Sequence, residues 1–232
     1  LRCKVREALV DFMQREYRPR APAEAGLAAL PGGAEYYGFL IRSGIVRGVS
    51  AAEIHALGLR EVERLRGDIG DIARRTGFAG TTDAFIRHLA TDPKFFFPSA
   101  DAVLAAYRGM AQRVDPQLGK LFRAVPRMPY AVRGMTPSEA ASSTAANYTP
   151  GSLRLGTSGY FTINALGFAS EPTWRIETLF MHETVPGHHL QNARAAELEG
   201  LHPWRRMGTW NVAFGEGWAL YAETLGFDMG LF

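Results

Sequence analysis

A proline–glycine pair inside a helical pattern is the feature that most constrains how this chain can fold. From Pro172 onward apolar residues recur at helical spacing as far as Phe180, and the pattern resumes at Leu190. Pro186 lacks the N–H that would bond to the carbonyl of His182, and its ring clashes with that carbonyl. The sequence therefore predicts a helix that is interrupted at residues 186–187, with a two-residue bulge at that point.

Most other segments also carry helical patterns. Ser50 and Glu53 form a capping-box pattern before a long periodic stretch, and N-caps are predicted at Thr82, Ser99 and Thr136. Residues 147–159 are rich in Thr, Ser, Gly and Pro, which indicates a loop, and residues 159–164 form a short strand-like run. The predicted fold class is mainly α with a small β-sheet. Five aromatic residues are expected in the core: Trp174, Phe180, Trp210, Phe214 and Trp218.

Two regions are predicted within one continuous catalytic domain. Residues 1–135 form a helical N-terminal region, and residues 136–232 carry the candidate site, an edge strand and two motif helices. The chain begins without an initiator Met or a signal-peptide pattern, so cytoplasmic and exported locations both stay open. It ends soon after the last motif, and we expect it to be a fragment that lacks a C-terminal part of the domain.

Composition excludes several classes of protein. The 232 residues are 47% hydrophobic and 21% charged, as in a globular protein. The single cysteine, Cys3, excludes an internal disulfide framework and a cysteine-cluster metal site. A net charge of +3 with scattered basic residues argues against a nucleic-acid partner. No uncharged apolar run approaches the roughly 18 residues of a membrane segment.

A histidine cluster spans the interruption of the predicted helix. His182 and Glu183 are adjacent, as in zinc hydrolases that place a ligand and a general base side by side on a helix. The bulge at residues 186–187 would bring His188 to the place of the usual second ligand four residues on. His182 and His188 are therefore the predicted ligands, and His189 is the reserve choice.

Two acids on the next helical stretch complete the candidate site. Glu216 lies between two glycines and is the predicted third ligand, and Glu223, seven residues later, lies on nearly the same face. Glu223 could accept the second ring N–H of a ligand histidine. Two histidines, one glutamate and an open fourth position predict a catalytic site for one zinc ion per chain. Glu183 would take the proton of a water whose pKa zinc lowers to about 7.

Two other functions remain possible from these residues. Two histidines and one carboxylate also describe non-haem iron enzymes, although those need no base beside the ligands. A non-catalytic binding module, or an inactive truncated scaffold, could keep the same helices. The sequence leaves the oligomeric state open.

The two motifs together, residues 182–191 and 215–223, resemble the bacterial "domain of unknown function 885" family. Segments 30–33, 36–37 and 52–58 resemble the same family. That family is similar to gluzincin-type zinc metallopeptidases such as the thimet oligopeptidase and Taq carboxypeptidase families. The resemblance implies a zincin-like architecture and a peptide substrate. The sequence leaves open the choice between endo- and exopeptidase action, and carboxypeptidase action is one form of the latter. The resemblance also implies an extended substrate on the edge of the strand at residues 159–164. The candidate substrate-binding residues are Tyr148, Tyr160, Asn164 and Tyr221.

Overall fold

The chain divides into two compact units, Leu1–Leu57 and Gly58–Phe232. The computed structural model describes residues 2–44, 48–143, 146–208 and 211–232. The predicted division between residues 135 and 136 lies inside the second unit, and all candidate site residues lie in that unit as well. The second unit is therefore the one that positions the site.

Helices account for most of both units, as the sequence predicts. They are linked by short 3₁₀ and π-helical turns, and one π turn, Met13–Tyr17, joins the first two. The α-helices of the described ranges are α1 (Arg2–Phe12), α2 (Arg18–Arg20), α3 (Gly33–Gly44), α4 (Ala51–Arg75), α5 (Thr82–Thr91), α6 (Ala100–Val114), α7 (Pro137–Ala140), α8 (Ile176–Glu183), α9 (His188–Glu197) and α10 (Val212–Met229).

The predicted helix caps are confirmed with one shift. The backbone N–H of Ser50 donates to Glu53 at 2.8 Å, while the Glu53 N–H donates back to the Ser50 hydroxyl. Thr136 and Glu139 form the same reciprocal pair before α7. Before α5 the cap is Thr81 rather than Thr82, because the Thr81 hydroxyl is the one that accepts from Ala84. In a run of two threonines the pattern alone does not distinguish these positions.

The sheet corrects two sequence predictions. Within the described ranges it has three strands in the order β1-β3-β2, namely β1 (Tyr130–Gly134), β2 (Ala146–Thr149) and β3 (Gly159–Ile163). β3 is the predicted strand, but it is central: it pairs parallel with β1 and antiparallel with β2. β2 lies partly in the predicted loop, because four residues beside Pro150 and Gly151 give too short a pattern to recognise. The edge strands are therefore β1 and β2.

The core of the second unit lies between this sheet and the helices. It is formed by one face each of α6, α8 and α10, with Phe161 and Ile163 of β3 fully buried between them. Phe180 and Trp218 pack in or against this core as predicted, whereas Trp174 and Phe214 are exposed. Trp210 lies outside the described residues. No helix in the described ranges is long and apolar enough to cross a bilayer.

Candidate metal centre

The interrupted helix is present, but it ends and begins again instead of bulging. α8 ends at Glu183 and α9 begins at His188, with a sharp bend over residues 184–187. The carbonyl of Thr184 accepts from the backbone N–H groups of His189 and Leu190, at 2.9 and 3.3 Å. The interruption is thus confirmed and the bulge is wrong. The physical reason is that the backbone leaves helical geometry at both Thr184 and Gly187, so that two separate helices form.

Gly187 lets α9 start against the end of α8. A Cβ at this position would overlap the carbonyl oxygens of His182 and Met181, so only glycine fits without moving backbone. The carbonyl of Pro186 accepts a 2.9 Å hydrogen bond from the indole N–H of Trp218 on α10. These contacts bring the ends of three helices to one place.

His182, His188 and Glu216 meet where those helices converge. The Nε2 atoms of His182 and His188 lie 3.3 and 3.6 Å from the Oε2 atom of Glu216. One ligand atom from each residue lies within 4.8 Å of the other two. The imidazole rings are nearly perpendicular, with their centroids 4.8 Å apart, and both Nε2 atoms lie near the same Glu216 oxygen. The structure therefore brings together the three residues that the sequence selected as ligands.

Glu223 contacts the ring nitrogen of His182 that is turned away from Glu216. It lies two turns after Glu216 on α10, and its Oε1 atom is 2.9 Å from the Nδ1 atom of His182. This hydrogen bond is the main reason that the pKa of His182 is raised, against the opposing effect of burial. With Nδ1 engaged by Glu223, the Nε2 atom of His182 is the one turned toward Glu216.

Glu183 faces a cavity of about 510 Å³ that the three clustered residues also line. Burial raises the pKa of the Glu183 carboxyl, and the Glu216 charge adds to this rise. The His182 ring and the backbone N–H of Tyr148 act in the opposite direction. The pKa of His188 is lowered, first by burial and then by His182. The remaining lining residues are Ala146, Asn147, Tyr148, Pro150 and Asn192.

His189, the reserve ligand, is turned away from this cluster. Its side chain is 1% exposed, and its Nε2 atom is 2.9 Å from the carbonyl oxygen of Met128. Its Nδ1 atom is 2.9 Å from the hydroxyl of Tyr148. Burial lowers the pKa of His189. Both ring nitrogens are thus engaged by protein groups, and the geometry does not fit the role of a ligand.

Of the four candidate substrate-binding residues, only Tyr148 lines the cavity. Asn164 donates from its amide to the carbonyl of Ala140 at 3.3 Å. Tyr160 lies beside Arg133, and Tyr221 is exposed with its ring near Trp218. Asn164 was expected to reach a substrate carbonyl, and Tyr160 and Tyr221 to stabilise an oxyanion, but none of these three residues lines the cavity.

Asn192 is a lining residue that the sequence reasoning missed. It stands four residues after His188 on α9, and its amide donates to the His188 carbonyl at 2.8 Å. The i, i+4 spacing from a candidate ligand was a signal that could have identified it. Ala146 and Asn147 carried no such signal, because their place beside the cavity depends on β2.

The family is shown by sequence. The chain belongs to the family described as "Bacterial protein of unknown function (DUF885)", whose model matches residues 4–232. The expected family is therefore confirmed. No curated protein matches the chain.

A solved structure shares this fold. It is described as "The crystal structure of the putative lipoprotein from Colwellia psychrerythraea", with 27% sequence identity and a TM-score of 0.87. The match covers 96% of this chain and 39% of that chain. The present chain therefore spans well under half the length of that relative.

Proposed function

We propose that this chain carries the centre of a zinc-dependent peptidase. The observation that carries the proposal is the convergence of His182, His188 and Glu216 on one point beside Glu183. In a tetrahedral zinc site the ligand atoms stand about 3.3 Å from one another, since each is about 2.0–2.2 Å from the ion. The 3.3 and 3.6 Å separations between the ring nitrogens and Glu216 Oε2 suit that arrangement.

The donor set favours a catalytic site over a structural one. Three protein ligands leave one position open, and the cavity gives a substrate access to it. Zinc supplies Lewis acidity, which polarises a carbonyl and lowers the pKa of a water. Glu223 fixes His182 in the orientation and tautomer that a ligand needs. This arrangement agrees with a gluzincin-type, zincin-like architecture, which is part of the same proposal.

Glu183 serves as the general base. Its carboxylate faces the cavity and takes a proton from the attacking water as the new C–O bond forms. It then gives that proton to the departing amine as the peptide C–N bond breaks. The adjacent Glu183 also distinguishes this proposal from an iron enzyme with two histidines and one carboxylate, which needs no base at that position.

The edge of β2 supplies a place for an extended substrate. Ala146, Asn147 and Tyr148 line the cavity, and among the described residues β2 pairs with β3 alone. An added peptide strand can pair with such an edge through main-chain hydrogen bonds, which give affinity with little dependence on side chains. The proposed substrate is therefore a peptide, bound along β2 rather than along the central β3.

The test compares the wild type with two single variants. One is Glu183→Gln, and the other is the matched control Glu199→Gln, at an exposed glutamate after α9. Elemental analysis should find about one zinc per chain in all three proteins. Hydrolysis of a peptide mixture, followed by mass spectrometry, should fall about 10²–10⁴-fold in Glu183→Gln alone.

Three outcomes contradict the proposal. Zinc that is lost together with activity in Glu183→Gln would remove the assigned role of that residue. Iron in anaerobically purified protein, with oxygen uptake, would favour the oxygenase alternative. A wild-type protein that holds zinc and cleaves no peptide would favour a binding module.

A further inference from the structure

His189 and Tyr148 form one hydrogen-bonded unit behind the cavity. A backbone carbonyl can only accept, so the 2.9 Å contact with Met128 places the His189 proton on Nε2. The Nδ1 atom then carries the lone pair and accepts from the Tyr148 hydroxyl at 2.9 Å. The two contacts fix a single tautomer of His189 and a single direction for the Tyr148 hydroxyl.

A glycine of β3 and an aromatic ring pack against this unit. A Cβ at Gly159 of β3 would lie 2.8 Å from the Tyr148 hydroxyl and 2.9 Å from His189 Nδ1. The ring of Tyr130 packs against His189 with centroids 4.9 Å apart. Strand β3 therefore presents a glycine where the hydrogen bond between Tyr148 and His189 needs space.

The segment that carries the Met128 carbonyl also forms hydrogen bonds to the far end of α9. Glu197, at the end of that helix, accepts from the backbone N–H groups of Arg127 and Met128, at 2.6 and 3.2 Å. The Glu197 side chain is almost fully buried and also pairs with Arg194. His189 near the start of α9 and Glu197 at its end thus both form hydrogen bonds to residues 127–128. These bonds fix the position of His189 relative to the sheet.

Tyr148 connects this unit to the proposed base. Its side chain reaches His189, and Tyr148 lines the same cavity as Glu183. The same residue lies on β2, where a substrate strand is proposed to pair. Movement of Tyr148 would therefore change the distance between Glu183 and the edge of β2.

We propose that His189 is a positioning residue: through the Tyr148 hydroxyl it holds the edge of β2 against Glu183 while His188 faces the metal site. The inference rests on the proposed function for its catalytic consequence. Its structural part stands independently, because the tautomer of His189 and the position of Tyr148 can be measured without any turnover.

The kinetic test uses Tyr148→Phe, which removes only the hydroxyl, and His189→Gln. Exposed residues of the first unit give matched controls, Tyr36→Phe and His55→Gln. Each test variant should keep about one zinc per chain and a KM within about twofold of wild type. The value of kcat should fall about 10–100-fold, because a small displacement of reacting groups has that cost.

The double variant separates positioning from independent roles. If the two residues act as one unit, Tyr148→Phe with His189→Gln should be no slower than the slower single variant. Losses that multiply would overturn the proposal, and so would a normal kcat in His189→Gln. Parallel loss of zinc and of thermal stability in both single variants would show a merely structural role.

Nitrogen-15 spectra of the histidine rings give a result that needs no activity. In wild-type protein His189 should be protonated at Nε2 alone, and Tyr148→Phe should shift the His189 Nδ1 signal. Added Zn²⁺ should shift the ring nitrogens of His182 and His188 by coordination and leave His189 without a coordination shift. A proton on His189 Nδ1, or zinc coordination by His189, would overturn the positioning role even in a protein that cleaves no peptide.

Discussion

The two compact units contain similar helices but bury very different amounts of apolar surface. In Leu1–Leu57 the buried residues among those described are Gly33 and Ile41, and exposed apolar side chains include Val5, Leu9, Phe12, Tyr36 and Phe39. In Gly58–Phe232 one continuous core joins three helices to the sheet. The comparison shows that apolar periodicity determines whether a helix forms, whereas a facing surface determines whether it is buried.

The largest expected effect tests this difference in burial. Phe180 is 0% exposed and its ring contacts those of Tyr130 and Phe161, whereas Phe39 on α3 is 53% exposed. Phe180→Ala should lower the free energy of unfolding by about 3–5 kcal/mol. Phe39→Ala should change it by less than about 0.5 kcal/mol. Denaturant unfolding followed by circular dichroism measures both, and equal losses would refute the contrast.

A glycine in each unit gives the next comparison. Gly187→Ala should lower the free energy of unfolding by about 1–3 kcal/mol and reduce the zinc content, because its Cβ overlaps fixed backbone. Gly44→Ala, at the end of α3, meets no atom within 4 Å and should cost nothing or add up to about 1 kcal/mol. Thermal unfolding with zinc analysis is the measurement. A Gly187→Ala protein with normal zinc content would show that the approach of α9 to α8 is not needed for the site.

The smallest effect concerns a glutamate that touches no proposed substrate. Glu223→Gln should weaken zinc binding about 10–100-fold, since His182 loses its charged hydrogen-bond acceptor. Glu35→Gln, an exposed change on α3, should leave zinc binding unchanged. Competition with a chelator of known affinity measures both values. Equal affinities in the wild type and Glu223→Gln would remove the orienting role of Glu223.

Much of the helical fold follows from local sequence. The helices α4 and α6 begin where cap and period predict, because the signals that start a helix lie within one or two turns. The residues of the central cluster were also found locally: His182 and Glu183 are adjacent, and Glu216 and Glu223 share a helix face by spacing alone. Their metal-binding and catalytic roles remain predictions.

Only the tertiary structure decided which histidine and which strand serve the cavity. His188 and His189 are adjacent and chemically identical, and their directions depend on the backbone turn from Thr184 to Gly187. β3 is central rather than an edge strand, because β1, about thirty residues before it, pairs with one side of β3 and β2 pairs with the other. Such pairings join distant parts of the chain, so no local pattern encodes them. The sequence by itself thus determined the helices and the chemical groups available, and packing between distant segments determined where each group points.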